Sequence, residues 1–295
     1  MPTATCSLIY LAYGSSALHA EAVYSLLSYY QVAQSAAQVL IYTDAAAAFK
    51  QVLGERPGIH YPSVSPDEWQ RWRGSSNKVY LLKIGVLTHA AQHYPGNLLF
   101  VDTDTIWQVD PAPLFTQIEH GQFVMHVSEG KLATGNDLSR KIYRRLKGQV
   151  FVVAQRKLSI TDRTVLYNSG ILGLSSALAA QLANVVMLAD QLYAAYNKHM
   201  MEQLAFSMWF GEGGEIAEAA PYVLHYWNLK AARPLLTHVF QQHAPHSLEA
   251  FYEKATALNL GELHESEMRY RALPSWRRTL LKLVGRQWQI PDLGQ

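Results

Sequence analysis

Along the N-terminal third, runs of consecutive apolar positions alternate with segments whose apolar residues recur at helical spacing. The run "CSLIYLAYG" predicts a strand ending at Gly14, "HAEAVYSLLSYYQVA" a helix, and "QVLIYTD" a second strand ending at Asp44. After an interval rich in Pro and Gly, "NKVYLLKIGVLTHAAQHY" predicts a helix that feeds Leu98-Leu99-Phe100-Val101. An apolar run bounded by Pro95-Gly96-Asn97 reads as a strand covered on both faces of a sheet. This β-α-β-α-β rhythm implies a mostly parallel sheet with helices on both sides, which binds ligands beyond the carboxyl ends of its strands. Gly14, Asp44 and Asp102 fall at three such ends. Farther on, "QFVMHVSE" and "VLYNSGILGL" predict strands and "ALAAQLANVVMLADQLYAAYN" a helix, while Asn136-Asp137 caps a short basic helix, "LSRKIYRRLK". There is no internal repeat and no low-complexity tract.

The buried run ends on two charges, Asp102 and Asp104. In extended chain, residues i and i+2 point the same way, so both carboxylates face one side and Thr103 the other. Two such carboxylates repel unless neutralised, and a hard divalent cation is the usual remedy. An EF-hand loop is excluded, because Trp107 stands where that loop needs glycine.

Composition narrows the partners. With 295 residues, 49% hydrophobic and 16% charged, the chain can bury a large core. Its formal net charge of +2 argues against general polyanion binding, and we expect no nucleic-acid partner. The single cysteine, Cys6, cannot form an internal disulfide, and "MPTATCSLIYLAYG" has neither a basic leader nor a long apolar stretch. A cytoplasmic setting is expected.

A buried strand ending in Asp-x-Asp, preceded by a lysine-bearing helix and followed in order by "NSG", "EQ" and "HYWN", resembles metal-dependent glycosyltransferases of the GT-A fold. It is most similar to the family 8 type, which includes glycogenin and bacterial lipooligosaccharide galactosyltransferases. The likeness spans roughly residues 5 to 231. It implies an α/β fold of the GT-A kind: a Rossmann-like mixed, mostly parallel sheet flanked by helices. The implied reaction moves a hexosyl group from a nucleotide sugar, with UDP as the nucleotide, to a glycan, lipid-linked or protein acceptor, with retention of anomeric configuration. Asp102, Asp104 and His225 match the ligands of a Mn²⁺ or Mg²⁺ ion. Ala12, Tyr13, Gly14, Asp44, Lys83, Thr103, Asn168, Ser169 and Lys230 match contacts to the nucleotide sugar, and Glu202 and Gln203 the acidic-Gln pair beneath the donor sugar. Lys230 lies five residues past His225, without the glycine and Lys-Pro-Trp ending of the family pattern.

The chemistry is consistent with that set. Departure of a nucleoside diphosphate builds negative charge on phosphate, which a divalent ion held by one or two carboxylates stabilises without proton transfer. Bland roles compete at each position: a solvated strand end for the aspartates, a hydrogen-bonded core histidine for His225, a surface lysine for Lys83, an ordinary turn for "NSG", and helix N-terminal capping for Glu202. An inverting transferase would need a carboxylate base at the acceptor, for which Glu202 is the candidate. Haloacid-dehalogenase phosphatases also place two aspartates after a hydrophobic strand, but near the chain start, with Gly-Thr following and a later aspartate pair. Here Thr105-Ile106 follows and no Asp-Asp occurs later. A non-catalytic sugar-nucleotide or glycan-binding module is the third alternative.

The C-terminus divides off by composition, giving a catalytic domain over 1–262 and a basic amphipathic helical tail over 263–295. From Met268 to Ile290 there are six cations (Arg269, Arg271, Arg277, Arg278, Lys282, Arg286) and no acid. Trp276, Leu280, Leu283, Val284 and Trp288 recur at helical spacing among them, the pattern of a helix lying on an anionic membrane surface. Peripheral association with the inner membrane face is the matching expectation, against a helix docked on the catalytic domain.

Overall fold

In the computed structural model, which describes residues 5–35, 37–75 and 77–290, the expected alternation is realised. It runs β1 (Cys6–Ala12), α1 (Ser16–Val32), β2 (Gln38–Thr43), α2 (Ala46–Leu53), a two-residue β3 (Ile59–His60), α3 (Pro66–Arg71), α4 (Leu82–His93) and β4 (Asn97–Val101). Next come β5 (Thr105–Trp107), α5 (Ala112–Glu119), β6 (Phe123–Met125), β7 (Ser128–Lys131), α6 (Asp137–Leu146) and the hairpin β8 (Val150–Val153) and β9 (Arg156–Ser159). β10 (Val165–Tyr167), β11 (Ile171–Ser175), α7 (Leu182–Ala195), α8 (Met201–Gly211), β12 (Ile216–Glu218) and β13 (Val223–His225) follow. The remaining helices are α9 (Arg233–His243), α10 (Leu248–Ala257), α11 (Leu260–Ala272) and α12 (Ser275–Leu283).

Seven strands form the central sheet, in the order β12-β6-β11-β4-β1-β2-β3. β1 is parallel to β2 and β4, β2 to β3, and β6 to β12, whereas β11 is antiparallel to both β4 and β6. Within this sheet β11 alone runs against its companions. The continuous apolar runs have a simple cause: alternate residues feed two separate cores. Leu98 and Phe100 of β4 pack with α4 and α7 on one face, while Leu99 and Val101 pack with α1 and α5 on the other. Gly14, Asp44 and Asp102 lie just past the carboxyl ends of β1, β2 and β4.

Several elements differ from expectation. "QFVMHVSE" is two strands, β6 and β7, because the chain turns at His126–Val127, whose backbone bonds to Asn168 (His126 N–H to Asn168 O, 3.0 Å; Asn168 N–H to Val127 O, 2.8 Å). "VLYNSGILGL" is likewise split at Asn168–Gly170 into β10 and β11. The helix expected from residue 77 opens as a 3-10 turn, Val79–Leu81. Asn136 caps α6 as expected, accepting from Leu138 N and Ser139 N.

The tail is also partly docked. Arg269 and Arg271 pair with Glu265 and Glu267, one turn earlier on α11, so two of the six cations are neutralised. Glu267 also accepts from Asn228 Nδ2 at 2.8 Å, and Trp288 Nε1 donates to Ser266 Oγ at 2.9 Å. The boundary drawn at 262 falls inside α11. By contrast α12 buries no residue, and Trp276, Leu280, Leu283 and Val284 are all exposed. Among the described residues, no helix is long and apolar enough to cross a membrane.

Candidate metal centre

After β4 the chain bends through Asp102–Asp104 and re-extends as β5, which pairs antiparallel with β13 so that His225 lies opposite Thr105. That register carries His225 to Asp104 across 121 positions of sequence, its Nε2 standing 3.2 Å from Asp104 Oδ1 and 3.8 Å from Asp102 Oδ2. Tyr226 N–H donates to Asp104 O at 3.0 Å, and Asp102 N–H to Gly170 O at 2.7 Å. Gly170 is required here because a Cβ would collide with the His225 ring.

A directed chain of hydrogen bonds supports the bend from within the core. Thr105 Oγ1 donates to Asp102 O (2.9 Å), so Ser25 Oγ must donate to Thr105 (2.6 Å), and Tyr10 OH in turn to Ser25 (3.0 Å). Trp107 Nε1 donates to Tyr10 OH at 3.3 Å. Thr103 is buried and donates to Glu21 Oε2 on α1 at 3.0 Å.

Two cations brace the acids. Lys83 of α4 is buried, not a surface lysine, and lies 3.6 Å from Asp102 and 3.8 Å from Glu202. Its Nζ also donates to Ser169 O at 3.1 Å. Arg233, at the start of α9, reaches Asp104 Oδ2 (3.3 Å) and Glu21 Oε1 (2.7 Å). Burial pushes the Asp104 carboxyl up, but His225 and Arg233 outweigh it and hold it at about 2. His225 moves the other way: burial disfavours its charge, and Asp104 more than offsets that, raising it. Burial raises Glu202 to about 7 against the pull of Lys83. Burial and the Asp104 charge likewise raise Glu21 to about 7, against Arg233.

The residues fit a divalent ion. Asp102, Asp104 and His225 each offer a ligand atom, all within 4.8 Å of one another, and two carboxylate oxygens with one imidazole nitrogen suit Mn²⁺ or Mg²⁺. Opposite them, Asn168 Oδ1 lies 3.0 Å from His225 Nδ1, and Gln203 Nε2 donates to Glu129 at 3.1 Å. Toward β1 and β2, Gly14 N–H donates to Asp44 (3.1 Å), and the Tyr13 ring lies 4.4 Å from that of Trp69; Ala12 is buried at the end of β1. Lys230 is exposed, at the start of a 3-10 turn.

Sequence reasoning missed Arg233, Glu21 and Glu129. Glu21 had a signal, a charge inside the apolar pattern of α1, and it is buried. Arg233 had only its place at the Pro-marked start of a helix three residues after Lys230. Glu129 had none. A cavity of about 470 Å³ between β9, β10 and α8, with Arg163, Tyr167 and Glu215 in its wall, contains none of the candidate metal ligands.

No family model matches this chain, and no curated protein matches it. Solved structures do. A galactosyltransferase, LgtC, in complex with donor and acceptor sugar analogues is 13% identical with a TM-score of 0.50, covering 85% of this chain and 95% of that one. An active-site mutant of LgtC is 13% identical with a TM-score of 0.48, covering 72% of each chain. Mouse xyloside xylosyltransferase 1 in its apo form is 14% identical with a TM-score of 0.46, covering 72% of this chain and 83% of that one. The fold is of the GT-A kind, as the first of these matches and the mixed, mainly parallel sheet agree.

Proposed function

We propose that this protein is a metal-dependent glycosyltransferase that moves a hexosyl group from a UDP-sugar to a glycan, lipid-linked or protein acceptor with retention of configuration. The observation that carries the reading is the convergence of Asp102, Asp104 and His225 beyond the carboxyl end of β4 in a GT-A sheet. A Mn²⁺ or Mg²⁺ ion held by those three groups would neutralise charge growing on the departing diphosphate. Tyr13 and Asp44 are assigned to the nucleoside, Gly14 to a backbone contact beside it and Lys230 to the diphosphate. Ala12 and Thr103, expected as contacts, are instead buried, Thr103 with its hydroxyl given to Glu21, and support the site from behind. Lys83, tied to Ser169, Asp102 and Glu202, keeps the acids beneath the sugar at fixed spacing. Gln203 and Glu202 are assigned to the reacting face, with Asn168 and Ser169 beside them. No carboxylate is needed as a nucleophile in this reading.

The exposed apolar face of α12, with Arg277, Arg278, Lys282 and Arg286 near it, supports peripheral attachment to an anionic membrane surface. The reaction is tested by incubating the protein with a panel of nucleotide sugars and Mn²⁺, and measuring nucleoside diphosphate release with and without EDTA. Slow metal-dependent release of UDP is expected. Release of inorganic phosphate alone would instead indicate a phosphatase, and binding without turnover a non-catalytic module.

A further inference from the structure

Glu129, on β7, accepts from two amides carried by different elements. Asn168 Nδ2 donates to its Oε1 and Gln203 Nε2 to its Oε2, each at 3.1 Å. An ionised carboxylate only accepts, so both amides must turn their NH₂ groups toward it. The Asn168 oxygen is fixed a second time, because Gly170 N–H donates to it at 2.9 Å. Its orientation therefore follows from donor and acceptor chemistry. Asn168 Oδ1 also meets His225 Nδ1 at 3.0 Å, which requires Nδ1 to carry a proton. Nε2, which meets Asp104 Oδ1 at 3.2 Å and shares a proton with it while no cation is bound, is the nitrogen that would ligate once a cation takes that proton's place. On the other branch, Gln203 is left with its carbonyl as the end Glu129 does not hold.

The surrounding framework keeps these three elements in register. β7 pairs with β10 through Tyr167 opposite Ser128, Ser128 N–H donates to Glu218 Oε1 at 3.1 Å, and Tyr167 N–H donates to Ser207 Oγ of α8 at 2.9 Å. We infer that Glu129 is a positioning residue that sets both amides at once. Through Asn168 it fixes the His225 tautomer competent to bind a divalent cation, and directly it fixes the carbonyl-out orientation of Gln203. The inference rests on the metal-dependent transferase reading proposed above.

Two substitutions separate the branches. In Glu129→Gln the new side chain accepts from one amide only. Asn168, aligned also by Gly170 and His225, keeps the one carbonyl that remains, so Gln203 is the amide that turns. Calorimetric Mn²⁺ affinity is then expected to stay near wild type, while kcat for UDP-sugar hydrolysis falls about tenfold or more at unchanged KM. In Glu129→Met both amides lose their acceptor; the buried Asn168 Nδ2 is left without this partner, Asn168 is held at its oxygen alone by Gly170 and His225, and Mn²⁺ affinity falls several-fold. Wild-type kcat in the first variant, or wild-type Mn²⁺ affinity in the second, overturns the inference. Long-range ¹H–¹⁵N spectra of the Mg²⁺-loaded wild-type protein need no variant: a His225 protonated on Nδ1 is expected, and protonation on Nε2 overturns it. If wild type itself neither binds Mn²⁺ nor turns over, the transferase reading fails instead, so the two failures are distinguishable.

Discussion

Glu202 is only 2% exposed and lies among Lys83, Ser169 and Asp102, so its ionisation is costly and should be visible as pH-dependent stability. Burial raises its carboxyl from 4.5 to about 7 in the folded protein. Because the folded pKa is raised, the native state holds a proton that the unfolded chain has released between those values. The contribution is fully present below about 4.5 and is lost as pH rises through about 7. A difference of about 2.5 units at 1.36 kcal/mol each gives roughly 3 kcal/mol. Glu202→Gln keeps the shape and removes the titration. Urea unfolding of metal-free wild type and variant at steps from pH 4.5 to 8 is the assay. The variant's advantage should grow across the window, from near zero toward about 3 kcal/mol. A constant difference, or a wild type that gains relative to the variant as pH rises, would refute the reasoning and make Glu202 a stably ionised partner of Lys83.

Three further outcomes are expected. Asp104→Ala should abolish UDP-sugar turnover and its Mn²⁺ dependence, whereas His225→Ala, which leaves both carboxylates, should need only a higher Mn²⁺ concentration; unchanged turnover of wild type in EDTA contradicts both. Gly170→Ala should lower Mn²⁺ affinity by displacing His225, checked by calorimetry alongside a melting curve, because its Cβ has no room beside the ring. Removal of residues after Leu273 should leave the domain folded, since α11 is retained, though with a lowered melting temperature because the Trp288 and Ile290 contacts go, and should abolish cosedimentation with anionic vesicles at low salt. Arg277, Arg278, Lys282 and Arg286 at about 1 kcal/mol each near an anionic surface supply about 4 kcal/mol, so a full-length protein that stays in the supernatant contradicts the membrane assignment.

The parts of this fold legible in sequence were those with a local signature. β4 was visible because both of its faces are covered, which forces consecutive apolar residues, and Asp102 and Asp104 stood out as charges at its end. Asn136 was visible as a cap because its side chain bonds within its own helix. What escaped was non-local. The β5–β13 pairing joins two three-residue strands, too short for any period to register, yet it delivers His225 to the acids. Arg233 and Glu129 act only through partners 129 and 39 or more residues away, respectively. The tail misled in part because the stretch from 268 to 290 excludes the acids at Glu265 and Glu267 that pair with its first two arginines. Trp288, grouped with the membrane-facing residues by spacing, is instead hydrogen-bonded to α11, beyond the helical segment that its period assumed.

The central claim is that Asp102, Asp104 and His225 hold a divalent cation through which a nucleoside diphosphate is bound. Calorimetric titration of UDP into the full-length protein, in Mn²⁺ and again in EDTA, tests it most directly. The account predicts measurable UDP binding in Mn²⁺ that disappears in EDTA and in Asp104→Ala. Equal UDP affinity in all three conditions, or no UDP binding in Mn²⁺, would contradict it.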